Sequence, residues 1–340
     1  MKMKAVLIDH KGGPEVLRLA EVDAPTITGP HDVLVRVRAA GVNPADVQIR
    51  DNGMPAYIPE PTVGAFISGM EGAGVVEAVG AGAEEFSVGD EVYYYSGSRG
   101  GYAERVVVDG RYLARKPTSI DFLHAAGLPV VLLTAWEAMY DRVEVRSGDF
   151  VLVQGGAGGV GHIAVQLAAL HGARVAATVS TEAKAEMARS LGAEKIIRYR
   201  EEDVAAAVRA WSGKSGADVV LDTVGGATFA ASFDLVADYG SLISVVVADW
   251  PRGNTFSAES RNLRILFENM GSPYVTGNHA MRLRQRRILE EGARLVDEGK
   301  LRVVVNHVYP LDSAAEAQRA LGAAETSGRV VLDIARASLT

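Results

Sequence analysis

The spacing of apolar residues changes character near residue 123. Before it, short apolar runs at 4–8, 33–37 and 106–108 are rich in β-branched side chains, and Gly64, Gly69, Gly72, Gly74, Gly80, Gly82 and Gly89 break the chain at short intervals. That pattern predicts strands joined by tight turns, a compact barrel-like β domain over 1–123 with few helices. From residue 121 onward, Ala- and Leu-rich helical stretches alternate with short apolar runs at 174–179, 195–197, 218–221 and 241–247. Such alternation builds a parallel sheet with helices on both faces, so 124–272 is expected to be a doubly wound α/β domain. The valine-rich run at 241–247 reads either as the edge strand of that sheet, open to pairing with a second copy, or as an internal strand. The pattern fades over 249–273. It resumes as a helix at 281–299, with Ile288, Leu289, Leu295 and Val296 on one side, and a closing strand, helix and strand at 301–305, 313–324 and 329–334.

One stretch combines both textures. Residues 149–170 read DFVLVQGGAGGVGHIAVQLAAL, an apolar strand, a turn crowded with glycine and an Ala-rich helix. Gly156, Gly158 and Gly161 fall on the G-x-G-x-x-G spacing, with Ala157, Gly159 and Val160 between them. Glycines at that spacing allow a sharp turn, let a pyrophosphate approach bare backbone and let the helix pack closely on its strand. The free amides at the helix start then face the anion.

Composition narrows the function classes. A chain of 340 residues with 48% hydrophobic and 23% charged side chains belongs with globular proteins, and its length suits two domains. The net charge of −7 offers no overall basic face, which argues against binding nucleic acid through its phosphates. With no cysteine, disulfides, thiolate metal sites and a cysteine nucleophile are all excluded. The N-terminal apolar run, 5–8, is too short for a signal peptide, and no run approaches the ~18 apolar residues of a membrane span, so a cytoplasmic protein without membrane contact is expected.

Several motifs, in order, carry a family resemblance: Gly41-Val42-Asn43-Pro44-Ala45-Asp46, the glycine-rich turn at 69–76, Leu132-Leu133-Thr134-Ala135-Trp136, the 155–161 loop and Gly328-Arg329-Val330-Val331-Leu332. The chain resembles the medium-chain dehydrogenase/reductase superfamily from about residue 3 to 334, and within it the zinc-independent quinone oxidoreductase branch that includes zeta-crystallin. The resemblance implies a GroES-like β-barrel catalytic domain (1–123), a Rossmann NADP-binding domain (124–272) and a C-terminal segment (273–340) returning to the first domain. It also implies a homodimer formed through the edge of the Rossmann sheet. Where the zinc enzymes of the superfamily carry two cysteines and a histidine, this chain has Asn43, Met70 and, at about the third position, Val130, so no metal is expected.

For the cofactor, the second strand of the alternating region ends at Val179-Ser180-Thr181 without the acidic residue that binds a ribose diol. Ser180 and Lys184 suit a 2′-phosphate, while Glu182 beside them opposes one. The resemblance adds Tyr199 as a third contact, so NADPH is favoured over NADH. By resemblance also, Thr134 lies by the nicotinamide, Val245 and Val246 offer backbone to its carboxamide, and Arg329 reaches the cofactor from the closing strand. Asn43 reads either as a polar residue of the active site or as a turn residue before Pro44. Related enoyl reductases use a tyrosine near the position of Met54, and Tyr57 is the nearest one here; it reads equally as a proton donor or as packing, with water as the other donor. The expected reaction is hydride transfer from NADPH to a quinone or to the β-carbon of an α,β-unsaturated carbonyl. Two alternatives stay open. One is an enoyl-thioester reductase whose Arg282, Arg284, Arg286 and Arg287 meet a coenzyme A phosphate, although a solvated helix face accounts for them as well. The other is a non-catalytic NADPH-binding protein of the lens-crystallin kind.

Overall fold

The computed structural model describes residues 1–53, 65–97, 100–246, 252–323 and 326–336. They form two units, Met1–Val130, Gly271–Gly299 and Val303–Thr340 in the first and Val131–Met270 with Lys300–Arg302 in the second. No described helix is long and apolar enough to cross a membrane.

The first unit opens with strands β1 (Lys2–Ile8), β2 (Leu17–Asp23), β3 (Asp32–Val42), β4 (Phe66–Ile67), β5 (Glu71–Val79), β6 (Glu91–Tyr95), β7 (Arg105–Asp109) and β8 (Ala114–Arg115). β3 organises them. It pairs antiparallel with β5 along one edge, and on the other its first half pairs with β7. Val33, Val35 and Val37 alternate inward and are buried, while Arg36 points to solvent, which is the two-residue period the sequence showed. A helix that the pattern did not announce, α1 (Pro44–Asn52), follows β3. Its buried residues are Asp46, Ile49 and Arg50, so the face it turns inward is mostly polar and leaves no apolar stripe to read. α2 (Phe122–Ala126) lies against β3 and β5, which carries the first unit past residue 123 to Val130.

In the second unit, α3 (Pro129–Trp136) runs into a π-helical turn, Glu137–Arg142. Then β9 (Phe150–Val153), β10 (Arg174–Val179), β11 (Lys195–Arg198), β12 (Ala217–Asp222), β13 (Val236–Ser244) and β14 (Arg264–Phe267) alternate with α4 (Gly159–Leu170), α5 (Glu182–Ser190), α6 (Val204–Ser212), α7 (Gly226–Ser232) and α8 (Arg252–Ser260). The strands are parallel in the order β11-β10-β9-β12-β13-β14. That is the doubly wound arrangement whose switch point falls between β9 and β12. The edge reading of 241–247 is overturned: β13 pairs on both sides, and β14 takes the edge. β14 and α8 lie in the stretch where the pattern faded, because α8 has few apolar residues and β14 is short and begins at Arg264.

The chain then re-enters the first unit through α9 (Ser272–Val275), α10 (His279–Asp297), β15 (Val305–Pro310), α11 (Ala314–Gly322) and β16 (Arg329–Asp333). β16 pairs antiparallel with the second half of β3, Val330 opposite Val42 and Asp333 opposite Ala39. The C-terminal strand thereby joins the hydrophobic core of Val33, Val35, Val92, Val330 and Leu332.

Candidate functional site

The glycine turn leaves β9 at the carboxyl end of the parallel sheet. Gly155 adopts φ +69, and its amide donates to Thr178 Oγ1 at 3.0 Å, while the Gly156 amide donates to the Thr178 carbonyl at 3.1 Å. The three motif glycines serve different ends. A Cβ on Gly156 stands 2.5 Å from Ala177 Cβ, and one on Gly161 collides with the Gly155 carbonyl oxygen, so both are required for packing. Gly158 has φ −82, an angle any residue adopts, and a Cβ there meets only the Gly155 carbonyl oxygen at 3.2 Å. That contact is tighter than a Cβ normally makes, so a side chain at 158 asks the turn to give by a few tenths of an ångström, far less than at Gly156 or Gly161. α4 starts immediately after it with no side-chain cap, and the first bond in the helix runs from His162 N–H to Gly158 O at 3.0 Å. The amides of Gly159, Val160 and Gly161 therefore have no partner among the described residues and stand at the positive end of a twelve-residue helix, with Ala157 buried in the turn. That is an anion cradle.

Ser180 follows β10, and Lys184 lies in the first turn of α5, whose N-cap is Thr181. Neither the Ser180 hydroxyl nor the Lys184 ammonium has a protein partner among the described residues. Glu182 is not idle charge: Arg189 pairs with it at 2.8 Å and Arg198 at 3.4 Å, and the Arg189 bond holds its carboxyl below the usual range. The acid that opposed a phosphate at this place is balanced by Arg189, with a further contribution from Arg198, which also pairs with Glu201. Tyr199, just past β11, is 48% exposed, with the Arg200 guanidinium 5.9 Å from its ring centroid.

Elsewhere in this unit, Thr134 is buried on α3. Val245 and Val246 leave the end of β13; the Val245 amide donates to the Asp222 carbonyl at 3.1 Å and the Val246 amide to Ser244 Oγ at 3.4 Å.

Asn43 and Arg329 meet in the first unit, buried in a polar cluster. The Asn43 amide nitrogen donates to Glu71 Oε1 at 2.8 Å, and its Oδ1 accepts from Arg329 at 3.0 Å. Arg329, only 2% exposed, also donates to the Gly127 carbonyl at 2.7 Å and pairs with Glu71. Glu71 accepts the Val130 amide at 2.7 Å with its other oxygen. Burial raises the Glu71 carboxyl, and Arg329 pulls it back. Both ends of Asn43 and the charge of Arg329 are committed inside this cluster, so the expected reach of Arg329 toward a cofactor and of Asn43 toward an acceptor is not what these bonds provide. Asn43 is also the N-cap of α1: its backbone amide donates to Asp46 Oδ2 at 2.8 Å. Asp46 accepts the Tyr102 hydroxyl at 2.9 Å, and burial pushes its pKa up to about 7. Tyr57 lies outside the described residues.

At the three positions where the zinc enzymes have ligands stand a carboxamide already bonded to Glu71 and Arg329, the thioether of buried Met70, and Val130, whose amide is bonded to Glu71. These donors do not fit a zinc ion. Two of the four arginines of the run on α10 are engaged within the protein. Arg282 lies 3.5 Å from the Tyr112 ring centroid, and Arg286 pairs with Glu85 and Glu290. Thr178 and Asp222 escaped the sequence reading, and Asp46 and Glu71 stood in its motifs without a role, because a buried polar residue inside a strand or a polar helix face has no periodic signature.

The family described as alcohol dehydrogenase GroES-like domain matches residues 29–118, and that described as zinc-binding dehydrogenase matches 191–332. A quinone oxidoreductase of Pseudomonas aeruginosa is 37% identical, over 94% of this chain and 96% of its own length. A 2-haloacrylate reductase of a Burkholderia species is 34% identical, over 96% of this chain and 98% of its own. Among solved structures, the Escherichia coli quinone oxidoreductase complexed with NADPH superposes with a TM-score of 0.87 at 28% identity, covering 97% of this chain and 100% of that one.

Proposed function

This chain belongs to the medium-chain dehydrogenase/reductase superfamily, in its quinone oxidoreductase branch, and is an oxidoreductase; we propose that it is an NADPH-dependent, zinc-independent reductase of quinones or α,β-unsaturated carbonyls. The observation that carries the cofactor reading is the unpartnered Ser180 and Lys184 pair beside a Glu182 already balanced by Arg189 and Arg198. A dianionic 2′-phosphate meets the uncommitted charge of Lys184 there, and Tyr199 offers a face at its side. The amides of Gly159, Val160 and Gly161 hold the pyrophosphate, over the space left at Gly158. Thr134 and the backbone of Val245 and Val246 orient the nicotinamide end. When bound, NADPH supplies the hydride. The protein contributes position and fixed donors, which act without a metal on an acceptor that is already electron-poor. The 2-haloacrylate reductase relative, whose named substrate has a carbon–carbon double bond conjugated to a carboxyl group, supports the activated-alkene arm, and the quinone oxidoreductases support the other. The enoyl-thioester reading has less support, because two of its four arginines, Arg282 and Arg286, are engaged within the protein. We place the protein in the cytoplasm as a homodimer.

The test is turnover. Loss of nicotinamide absorbance is followed with a panel of simple quinones, enones and enoyl thioesters, with NADPH and NADH side by side and a strong chelator present. Oxidation of NADPH by quinones or enones in preference to NADH is expected. No turnover with any acceptor, in a protein that binds NADPH, leaves the crystallin-like reading standing.

A further inference from the structure

Asp222 closes β12 at the carboxyl end of the sheet, beside the switch point, and is fully buried with no cation paired to it among the described residues. Such a carboxylate survives burial only if donors replace the water it lost. Here they come from the turn after β12 and from the last residue of β13. Oδ1 accepts the amides of Val224 at 3.0 Å and Gly225 at 2.9 Å; Oδ2 accepts the Ser244 hydroxyl at 2.8 Å. The carbonyl of the same residue accepts the Val245 amide, and Ser244 Oγ in turn receives the Val246 amide. Thr223, next in the chain, donates its hydroxyl to the Gln154 carbonyl at 2.7 Å and so ties the β12 exit to the start of the glycine turn. Gly225 and Gly226, at φ +79 and +53, let the turn fold back onto the carboxylate.

A turn that only had to connect β12 to α7 would not need a buried acid, since a neutral side chain closes a loop at lower desolvation cost. What the acid adds is a fixed relation between two backbone segments at the carboxyl ends of neighbouring parallel strands, where ligands of doubly wound sheets bind. We propose that Asp222, acting with Ser244, is a positioning residue that holds the 223–226 turn and Val245–Val246 as one rigid wall for the nicotinamide half of the cofactor. The proposal rests on the NADPH reading above.

The test separates the two halves of the cofactor. The parent, Ser244→Ala, Ser244→Thr and Asp222→Asn are titrated calorimetrically with NADPH and with 2′-phospho-ADP-ribose, which lacks the nicotinamide, and each variant's melting temperature is recorded. The parent should bind NADPH at least tenfold more tightly than the fragment. Ser244→Ala and Asp222→Asn should bind the fragment within about twofold of the parent yet lose that tenfold advantage, and Ser244→Thr, which keeps the hydroxyl, should retain it. If Asp222→Asn does not fold, the two Ser244 variants decide. Variants that keep the advantage, or that lose NADPH and fragment affinity in equal proportion, overturn the positioning role, as does a parent that binds both ligands equally well. A parent that binds neither ligand refutes the NADPH reading itself.

Discussion

At the scale of single residues, the glycine turn makes opposite forecasts for neighbouring positions. Gly158→Ala adds a methyl group 3.2 Å from the Gly155 carbonyl oxygen, a contact that asks for a shift of only a few tenths of an ångström, in the space the pyrophosphate is proposed to occupy. It should melt close to the parent and bind NADPH at least about tenfold more weakly, some 1.4 kcal/mol. Gly161→Ala drives the same methyl into the Gly155 carbonyl and should instead lower stability by about 1–3 kcal/mol, seen as a shift of the urea midpoint. If Gly158→Ala binds NADPH like the parent, the turn is not the phosphate cradle. Lys184→Glu places a negative charge against the expected 2′-phosphate and should weaken NADPH about tenfold to a hundredfold, roughly 1.5–3 kcal/mol, while sparing NADH. Arg198→Ala, which leaves Glu182 balanced by Arg189 alone, should move affinity the same way by less. Equal losses for both cofactors would show that this corner does not read the phosphate.

At the scale of elements, α1 is the informative case, because its buried side carries a carboxyl. Asp46 titrates near 7 in the fold and near 3.8 when exposed. A carboxyl whose pKa rises on folding binds its proton more tightly in the native state, so its contribution is complete below about pH 4 and is lost as pH climbs through 7. Stability should fall between pH 4 and 7, with a slope approaching 1.4 kcal/mol per pH unit at most. Asp46→Asn keeps an acceptor for the Asn43 amide and removes the titration. Urea midpoints at pH 5 and 8 should therefore converge in that variant; a parent and variant with the same pH slope would assign the loss to other groups.

At the scale of the whole molecule, a second copy is expected at β14. It is the sheet edge, it is four residues long, and Phe267 at its end is 43% exposed. A sheet edge pairs readily with another strand unless a charge blocks it, and the one charge on β14, Arg264, stands at the end away from Phe267. Light scattering should give about twice the chain mass of 36.0 kDa, and Phe267→Lys should shift the population toward the single chain. A parent that runs at the single-chain mass at micromolar concentration would remove the dimer.

The sequence by itself determined the features that rest on local rules. The alternation of β3, the strand, glycine turn and helix at β9 and α4, the missing acid after β10 and the absence of thiolate donors all follow from neighbours a few residues apart, and so did the family. Tertiary structure decided whatever depends on partners far along the chain. Arg329 looked like a group reaching out and is instead neutralised by Glu71, 258 residues away. Glu182 looked like an obstacle to a phosphate until Arg189 and Arg198 were seen to balance it. Gly158 and Gly161 are indistinguishable as letters and differ only in what lies opposite an added methyl group. β14, which left no pattern in the sequence, takes the edge and makes β13 internal, because strand order is set by which crossovers fit, not by which segment is most apolar. Asp222 carried no signal at all, since a buried charge becomes meaningful only when the donors that satisfy it have been brought together by the fold.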